Sequence, residues 1–402
     1  MKSSSAASPG SAGGTAAART SAVPAEVPRA DVRLIAFYLP QYHPIPENDA
    51  WWGRGFTEWT SVAKARPRFR GHYQPHLPAD LGFYDLRLPE ARAAQAELAR
   101  QYGIHGFCYY HYWFHGRRLL ERPFREVLAS GQPDFPFCLC WANESWTRAW
   151  DGRSGTVLME QTYSPEDDLR HIEWLLEAFA DPRYIRIGGR PLMMVYRTGR
   201  LPEPRRTADA WREAARRRGM ADICLCTVES FSDERVDPHQ LGFDAAVEFQ
   251  PDWLRLGRPL RRPLASLSRF QPSRLRRADP RDRVYHYATV MENMLRKPPP
   301  SYRRYPCVTP SWDNSARREA GALILDQSTP ELFQSWLTAA VRGELAQADG
   351  DRVVFINAWN EWAEGNHLEP DQRHGRAYLE ATARALRTVA SRSVRGAPQG
   401  PA

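Results

Sequence analysis

Apolar and polar positions along the chain follow two alternating periods. Short runs rich in Val, Ile, Leu, Cys and aromatic residues occur at Arg33 to Pro40, Gly106 to Trp113, Pro136 to Asn143, Pro191 to Arg197, Asp222 to Val228, Asp244 to Pro251, Tyr305 to Trp312 and Arg352 to Trp359. Their length and composition predict strands. Runs as apolar as Val353, Val354, Phe355 and Ile356 predict strands covered on both faces, as in a parallel sheet.

Between most of these runs the pattern changes to a helical period. The stretch "PEARAAQAELARQYG" from Pro89 has proline near its start and Gly103 at its end, and "SPEDDLRHIEWLLEAFAD" opens on Ser164 as N-cap, Pro165 at N1 and acids in the first turn. Similar patterns cover about 207 to 219, 285 to 296, 329 to 347 and 375 to 391. About eight β-then-α units predict an α/β fold, a (β/α)8 TIM barrel in a single domain over 31–392 with long βα loops. A doubly wound open sheet is the alternative, but no G-x-G-x-x-G follows the first strand.

Composition adds limits. A chain of 402 residues with 42% hydrophobic and 25% charged residues can bury an extensive core. Residues 1–30 are rich in Ser, Ala, Gly and Pro without a hydrophobic h-region, and 393–402 are similar, so both are expected to be disordered tails. The formal charge of +8 comes almost wholly from arginine, ten of them between Arg255 and Arg283. A solvated basic insertion at about 254–283 is the plain reading of that stretch; an anionic lipid or phosphate contact is the functional one. The six cysteines, at 108, 138, 140, 224, 226 and 307, all fall inside apolar runs. Their C-x-C spacing suits neither a zinc knuckle nor a redox pair, so buried free thiols in a reducing cytoplasm are expected. No apolar stretch approaches the ~18 residues of a membrane span.

In a (β/α)8 barrel the chemistry lies at the C-terminal strand ends, and unusual residues collect there. The first strand is followed by Gln41, Tyr42 and His43, then by Trp51, Trp52, Glu58 and Trp59 in a long loop. In the second, alternation puts Tyr109, His111 and Trp113 on one face and Tyr110, Tyr112 and Phe114 on the other. The third ends in Asn143, Glu144 and Trp146; Glu229 follows the fifth and Glu248 lies in the sixth; Trp312, Asp313, Asn314 and Arg317 follow the seventh. The eighth delivers "FINAWNEWAEGNHLEP" with Asn360, Glu361, Trp362 and Glu364.

Flat rings stack on sugar C–H faces, while carboxylates, amides and imidazoles meet hydroxyls, so this clustering points to a saccharide site. The expected binding residues are Tyr42, His43, Trp52, Tyr109, His111, Trp113, Asn143, Glu144, Trp146, Glu248, Trp312, Asp313, Asn314, Asn360 and Trp362. Glu361 and Glu364, at i and i+3, project to one side of a helical turn. In the plain reading Asn360 caps a helix whose positive end the two acids favour, worth about 0.5–2 kcal/mol. In the functional one they divide the acid and base roles of glycosidic bond chemistry.

The segments "FYLPQYHPIPENDAWWGRGFTEW", "GFCYYHYWF", "CWANESWTRAWDG", "PSWDNSAR" and "NAWNEWAEGNHLEPD" together resemble the WbsX-like proteins of bacterial polysaccharide biosynthesis loci, which carry a domain similar to glycoside hydrolase family 99. The resemblance runs from about Leu34 to Leu386. It implies a (β/α)8 barrel, retaining endo-α-mannosidase-like chemistry without metal or other cofactor, and a role in O-antigen or capsule metabolism. Carried onto the matching "NEW-x-E" segment, it implies Glu361 as the base that deprotonates a sugar 2-hydroxyl and Glu364 as the acid on the leaving oxygen. WbsX-like proteins are also described as glycosyltransferases of lipopolysaccharide assembly, although the chain shows no D-x-D motif for a nucleotide sugar and metal. A non-catalytic glycan-binding barrel is a further alternative. The expected partner is a glycan or glycolipid and not a nucleic acid. The expected location is cytoplasmic, with room for a peripheral contact at the inner membrane.

Overall fold

The computed structural model of the chain describes residues 31–148, 153–260, 279–347 and 350–395. Eight parallel strands form its centre: β1 (Arg33–Tyr38), β2 (Ile104–Phe114), β3 (Phe137–Trp141), β4 (Arg190–Val195), β5 (Cys224–Glu229), β6 (Ala245–Glu248), β7 (Arg304–Tyr305 with Cys307–Val308) and β8 (Val353–Ile356). Each pairs with its sequence neighbours, through registers such as Phe107↔Phe137 for β2 and β3 and Leu192↔Cys224 for β4 and β5. Closure runs through β7. Its first half pairs with β6 (Ala246↔Arg304) and its second with β8 (Cys307↔Phe355), while β8 pairs with β1 (Arg33↔Val353). The handover falls at Pro306, which lacks an N–H but whose carbonyl accepts from Phe355 N at 2.8 Å. The sheet is therefore a closed (β/α)8 barrel, as the alternation of periods predicts, and not an open doubly wound sheet.

Nine helices lie among the described residues: α1 (Pro46–Trp52), α2 (Glu58–Lys64), α3 (Pro89–Gln101), α4 (Arg122–Ser130), α5 (Pro165–Phe179), α6 (Pro204–Arg217), α7 (Tyr287–Leu295), α8 (Pro330–Leu345) and α9 (Ala377–Arg395). Pro89, Pro165, Pro204 and Pro330 each start a helix, where a missing N–H removes no helical bond. Ser164 caps α5 by accepting from Asp167 N at 3.2 Å. The connection from β5 to β6 carries two short 3₁₀ turns, Ser232–Glu234 and Pro238–Leu241, instead of a full helix.

The apolar runs face two ways. Inside, Phe37 packs against Tyr110, Phe249 and Phe355 with ring centroids 5.6 to 5.8 Å apart. Outside, Trp141 and Trp211 meet at 6.0 Å between the barrel and its helices. Such large buried rings each remove a large apolar area from water. The six cysteines are buried free thiols. The run expected to continue from Tyr305 to Trp312 as one strand leaves the barrel after Val308. Trp312–Asp313 instead joins a three-stranded side sheet with Leu323–Asp326 and Arg283–His286, which ties the β6 and β7 loops together above the barrel mouth.

The two expected tails and the centre of the basic insertion, residues 261–278, lie outside the described residues. The flanks of that insertion meet where Leu260 N donates to Val284 O at 2.7 Å. Among the described residues no helix is long and apolar enough to cross a membrane.

Candidate functional site

Above the C-terminal ends of the strands lies a cavity of about 550 Å³. Glu361 and Glu364 both line it. The segment that carries them is not the start of a helix. Asn360–Glu361 pairs antiparallel with Asn366–His367, and a 3₁₀ turn, Trp362–Glu364, closes the hairpin. In a 3₁₀ turn side chains at i and i+3 eclipse, so the two carboxylates come to the same side.

Backbone contacts hold this turn on both edges. Tyr42, fully buried, donates its hydroxyl hydrogen to Asn360 O and accepts from Trp362 N at 3.3 Å. On the other edge Gly365 adopts φ 56°, and an added Cβ would stand 2.9 Å from Asp313 Cβ and 3.2 Å from the Asp313 backbone. Only glycine fits that approach without strain. Asn360 caps no helix. Its side chain accepts from Leu39 N at 2.7 Å and donates to Leu39 O at 3.0 Å, clamping the hairpin to the end of β1.

One cation organises the acids. Arg317, just after the 3₁₀ turn Asn314–Ala316, places Nη2 2.6 Å from Glu58 Oε1 and 3.0 Å from Glu361 Oε2, and Nη1 2.8 Å from Glu364 Oε1. Three carboxylates from two loops, Glu58 after β1 and the Glu361–Glu364 hairpin after β8, thus share one guanidinium from a third, whose planar fork suits several oxygens at once. Burial works against the Arg317 charge, but the glutamates outweigh it and hold the guanidinium well above its ordinary range. Burial also pushes the Glu361 carboxyl up to about 8, against the opposing pull of Arg317 and with further push from Glu364 and Glu58. Glu58 is raised for the same first reason. The site therefore favours a proton on Glu361 near neutral pH.

Of the expected binding residues, Trp52, Glu144, Trp146, Trp312 and Asn314 line this cavity with the two glutamates. Trp146 stands edge-on to Tyr112 at 5.0 Å, Trp312 edge-on to Trp253 at 5.1 Å, and Glu144 is paired with Arg197 at 2.7 Å. The others lie elsewhere. Tyr109 packs on Tyr38 at 4.4 Å and on Phe124 of α4; His111 stacks on Trp174 at 4.5 Å and bonds His171 at 2.9 Å; Trp113 donates to Asp167 at 3.0 Å. These three form the outward face of β2, under the helices. Asn143 is buried in bonds with the Arg197 backbone, and His43 contacts Pro40 O at 3.1 Å. Glu248 pairs with Lys297 at 2.7 Å. Tyr42, Asn360 and Trp362 hold the turn that carries the two glutamates, and Asp313 accepts from His72 and Gln74 at 2.6 and 2.7 Å.

The cavity wall instead carries Tyr110 and Tyr112, the opposite face of β2, together with Tyr196, Phe249, Trp253 and Arg317. Period-two alternation separates the two faces of a strand but does not say which is inward. The structure settles it through Phe37, whose ring inside the barrel stacks on Tyr110 with centroids 5.6 Å apart.

The chain matches the family described as Glycosyltransferase WbsX over residues 34–382. It is 48% identical over 374 residues to proteins called WxcX, themselves uncharacterized, from Xanthomonas campestris pv. campestris strains B100 and ATCC 33913. That alignment covers 93% of this chain and 52% of each relative, so the chain spans about half their length. Among solved structures, the GH99 endo-alpha-mannosidase of Bacteroides thetaiotaomicron aligns with TM-score 0.54 at 15% identity, covering 91% of this chain and 99% of that one. A second structure, called a glycoside hydrolase-like protein, aligns with TM-score 0.55 at 14% identity, covering 91% and 97%. At such identity the likeness shows a shared fold. The family match spans nearly the whole barrel, including the hairpin with both glutamates, and on that ground the chain belongs to the WbsX glycosyltransferase family.

Proposed function

We propose that the protein acts on glycosidic bonds of a bacterial surface polysaccharide such as O-antigen or capsule, by retaining, endo-α-mannosidase-like chemistry that ends in cleavage or transfer. One observation carries this reading: two glutamates on one tight turn line an aromatic cavity at the barrel mouth and share one arginine. Glu364 donates a proton to the leaving oxygen. Glu361 acts in its ionised form: the proton that burial favours on it must first leave, and the carboxylate, then a stronger base than an ordinary one, takes the proton of a neighbouring sugar 2-hydroxyl as that oxygen attacks the anomeric carbon. An anhydro-sugar intermediate results, and water or an acceptor hydroxyl opens it while Glu364 works in reverse as base. Arg317 keeps both carboxylates in place across the proton transfers. Trp52, Trp146, Tyr110, Tyr112 and Trp312 supply faces on which sugar rings stack.

The description of the family as glycosyltransferases favours a second reading, in which the same cavity transfers a sugar from an activated donor. Incubation with bacterial surface glycans alone, and with nucleotide sugars plus acceptors, followed by product masses, separates the two. Shortened glycans or exchanged termini without a nucleotide donor support the first reading; products only with a nucleotide donor support the second. Glu364→Gln, with an unchanged circular dichroism spectrum, is expected to abolish turnover. Full turnover in that variant removes Glu364 from the acid role, and binding with no product from any donor or glycan leaves a glycan-binding barrel.

A further inference from the structure

Behind the turn that carries Glu364, a smaller cavity of about 110 Å³ opens between the loop after β1 and the segment following the hairpin. Two backbone bonds stitch these segments together, Ala79 N to Pro370 O at 2.9 Å and Gln372 N to Leu77 O at 2.9 Å. They bring three buried side chains to one point: His76 from the first loop, His367 from the hairpin and Asp371 beyond it, with one ligand atom of each within 4.8 Å of the others.

The rings are fixed before any ligand arrives. His367 lies flat on Trp362, centroids 3.7 Å apart, and its Nδ1 donates to Glu369 O at 2.9 Å, so its Nε2 presents a lone pair. That nitrogen points at His76 Nδ1, 2.9 Å away, and Asp371 Oδ2 stands 4.0 Å from it. His76 is held in turn by stacking on Tyr73 at 4.2 Å. The other oxygen of Asp371 accepts from the amides of Arg373 and His374, which fixes the carboxylate's orientation. A carbonyl on the outer nitrogen of a histidine and amides on a carboxylate are the supports that metal ligands use.

We propose that His76, His367 and Asp371 bind a divalent transition-metal ion, Zn²⁺ being the best match to two imidazoles and one carboxylate. Ligand distances of about 2.0–2.2 Å place donor atoms roughly 3.3 Å apart in a tetrahedral site. The two nitrogens, 2.9 Å apart with the His76 Nδ1 hydrogen between them, stand near that spacing once the ion displaces that proton, and Asp371 Oδ2, 4.0 Å from His367 Nε2, has to close by less than about 1 Å while Oδ1 stays on its amides. The adjoining cavity leaves room for water as a fourth ligand. The ion sits outside the Glu361 and Glu364 cavity and takes no part in bond chemistry there. Its effect is to join the loop that carries Glu58 to the hairpin that carries Glu364, through His367 and the Trp362 ring beneath it.

The test uses the full chain, stripped with a chelator and titrated with Zn²⁺ and with Co²⁺. One ion per chain is expected, with a rise in melting temperature and a Co²⁺ absorption spectrum of nitrogen and oxygen ligation. His76→Gln and Asp371→Asn are each expected to weaken Zn²⁺ by more than about 100-fold, beyond the 10–100-fold that loss of a supporting partner brings. Circular dichroism of each variant checks that it is folded. Undiminished Zn²⁺ affinity in the double variant, or no Zn²⁺ retained by the stripped and reloaded native chain, overturns the proposal. Neither result depends on finding a sugar substrate.

Discussion

Arg317 Nη2 lies 3.0 Å from Glu361 Oε2 while the same atom lies 2.6 Å from Glu58, so one guanidinium serves a carboxylate that faces the cavity and another that does not line it. Arg317→Met leaves buried carboxylates without their cation. The expected loss is about 3–5 kcal/mol of stability, the usual cost of breaking a buried pair by removing one partner. Urea denaturation measures it. Because Arg317 pulls the Glu361 carboxyl down, its removal also moves any Glu361-dependent limb of the pH–rate profile to higher pH.

The raised Glu361 carboxyl has a consequence for stability. It keeps its proton to about pH 8 when folded, against an ordinary value of 4.5. Between those values the native chain binds more protons than the unfolded one, so this group's contribution is complete below about 4.5 and is lost as pH rises through about 8. Each such group adds a slope of at most about 1.4 kcal/mol per pH unit. Urea midpoints are expected to fall less across this window in Glu361→Gln than in the native chain. An identical slope in both would mean that Glu361 is ionised throughout.

Gly365→Ala is expected to lower turnover by tenfold or more, because its methyl group meets Asp313 and the residue must keep φ 56°. The cost in stability is about 1–3 kcal/mol. Rate and denaturation midpoint are measured together. Loss of stability with unchanged rate would show that the turn recovers its geometry.

The two faces of β2 separate binding from folding. Tyr112→Ala, in the cavity wall, is expected to weaken saccharide binding about tenfold, read by calorimetry. Tyr109→Ala, under α4, is expected to cost about 3–5 kcal/mol of stability with saccharide affinity unchanged.

Much of the architecture is legible from periodicity alone. Eight apolar runs, proline-started helices and the capping Ser164 give the barrel, because parallel strands covered on both sides leave a strong local signal. The hairpin with the two glutamates is legible in position but not in form: whether "NEWAEG" turns as a helix or as a 3₁₀ hairpin depends on Tyr42 and Asp313, far away in the chain. The same holds for the inward face of β2 and for Arg317, whose three partners come from two segments remote from it, the helix with Glu58 and the hairpin with Glu361 and Glu364. Tertiary contact decides these features, and local pattern carries no record of it. The grouping of His76 with His367 and Asp371 is of this kind, since nothing in "QPHLP" announces a partner nearly three hundred residues on.

The hairpin bearing Glu361 and Glu364 is pinned by Tyr42 on one edge and by the fit of Gly365 to Asp313 on the other, whereas the rings around it come from other segments: Trp52 after β1, Tyr110 and Tyr112 on β2, and Trp312 after β7. Side chains in that wall can therefore be exchanged one at a time without displacing the Glu361–Glu364 turn, so the shape of the cavity and the spacing of its two acids are set by separate parts of the chain.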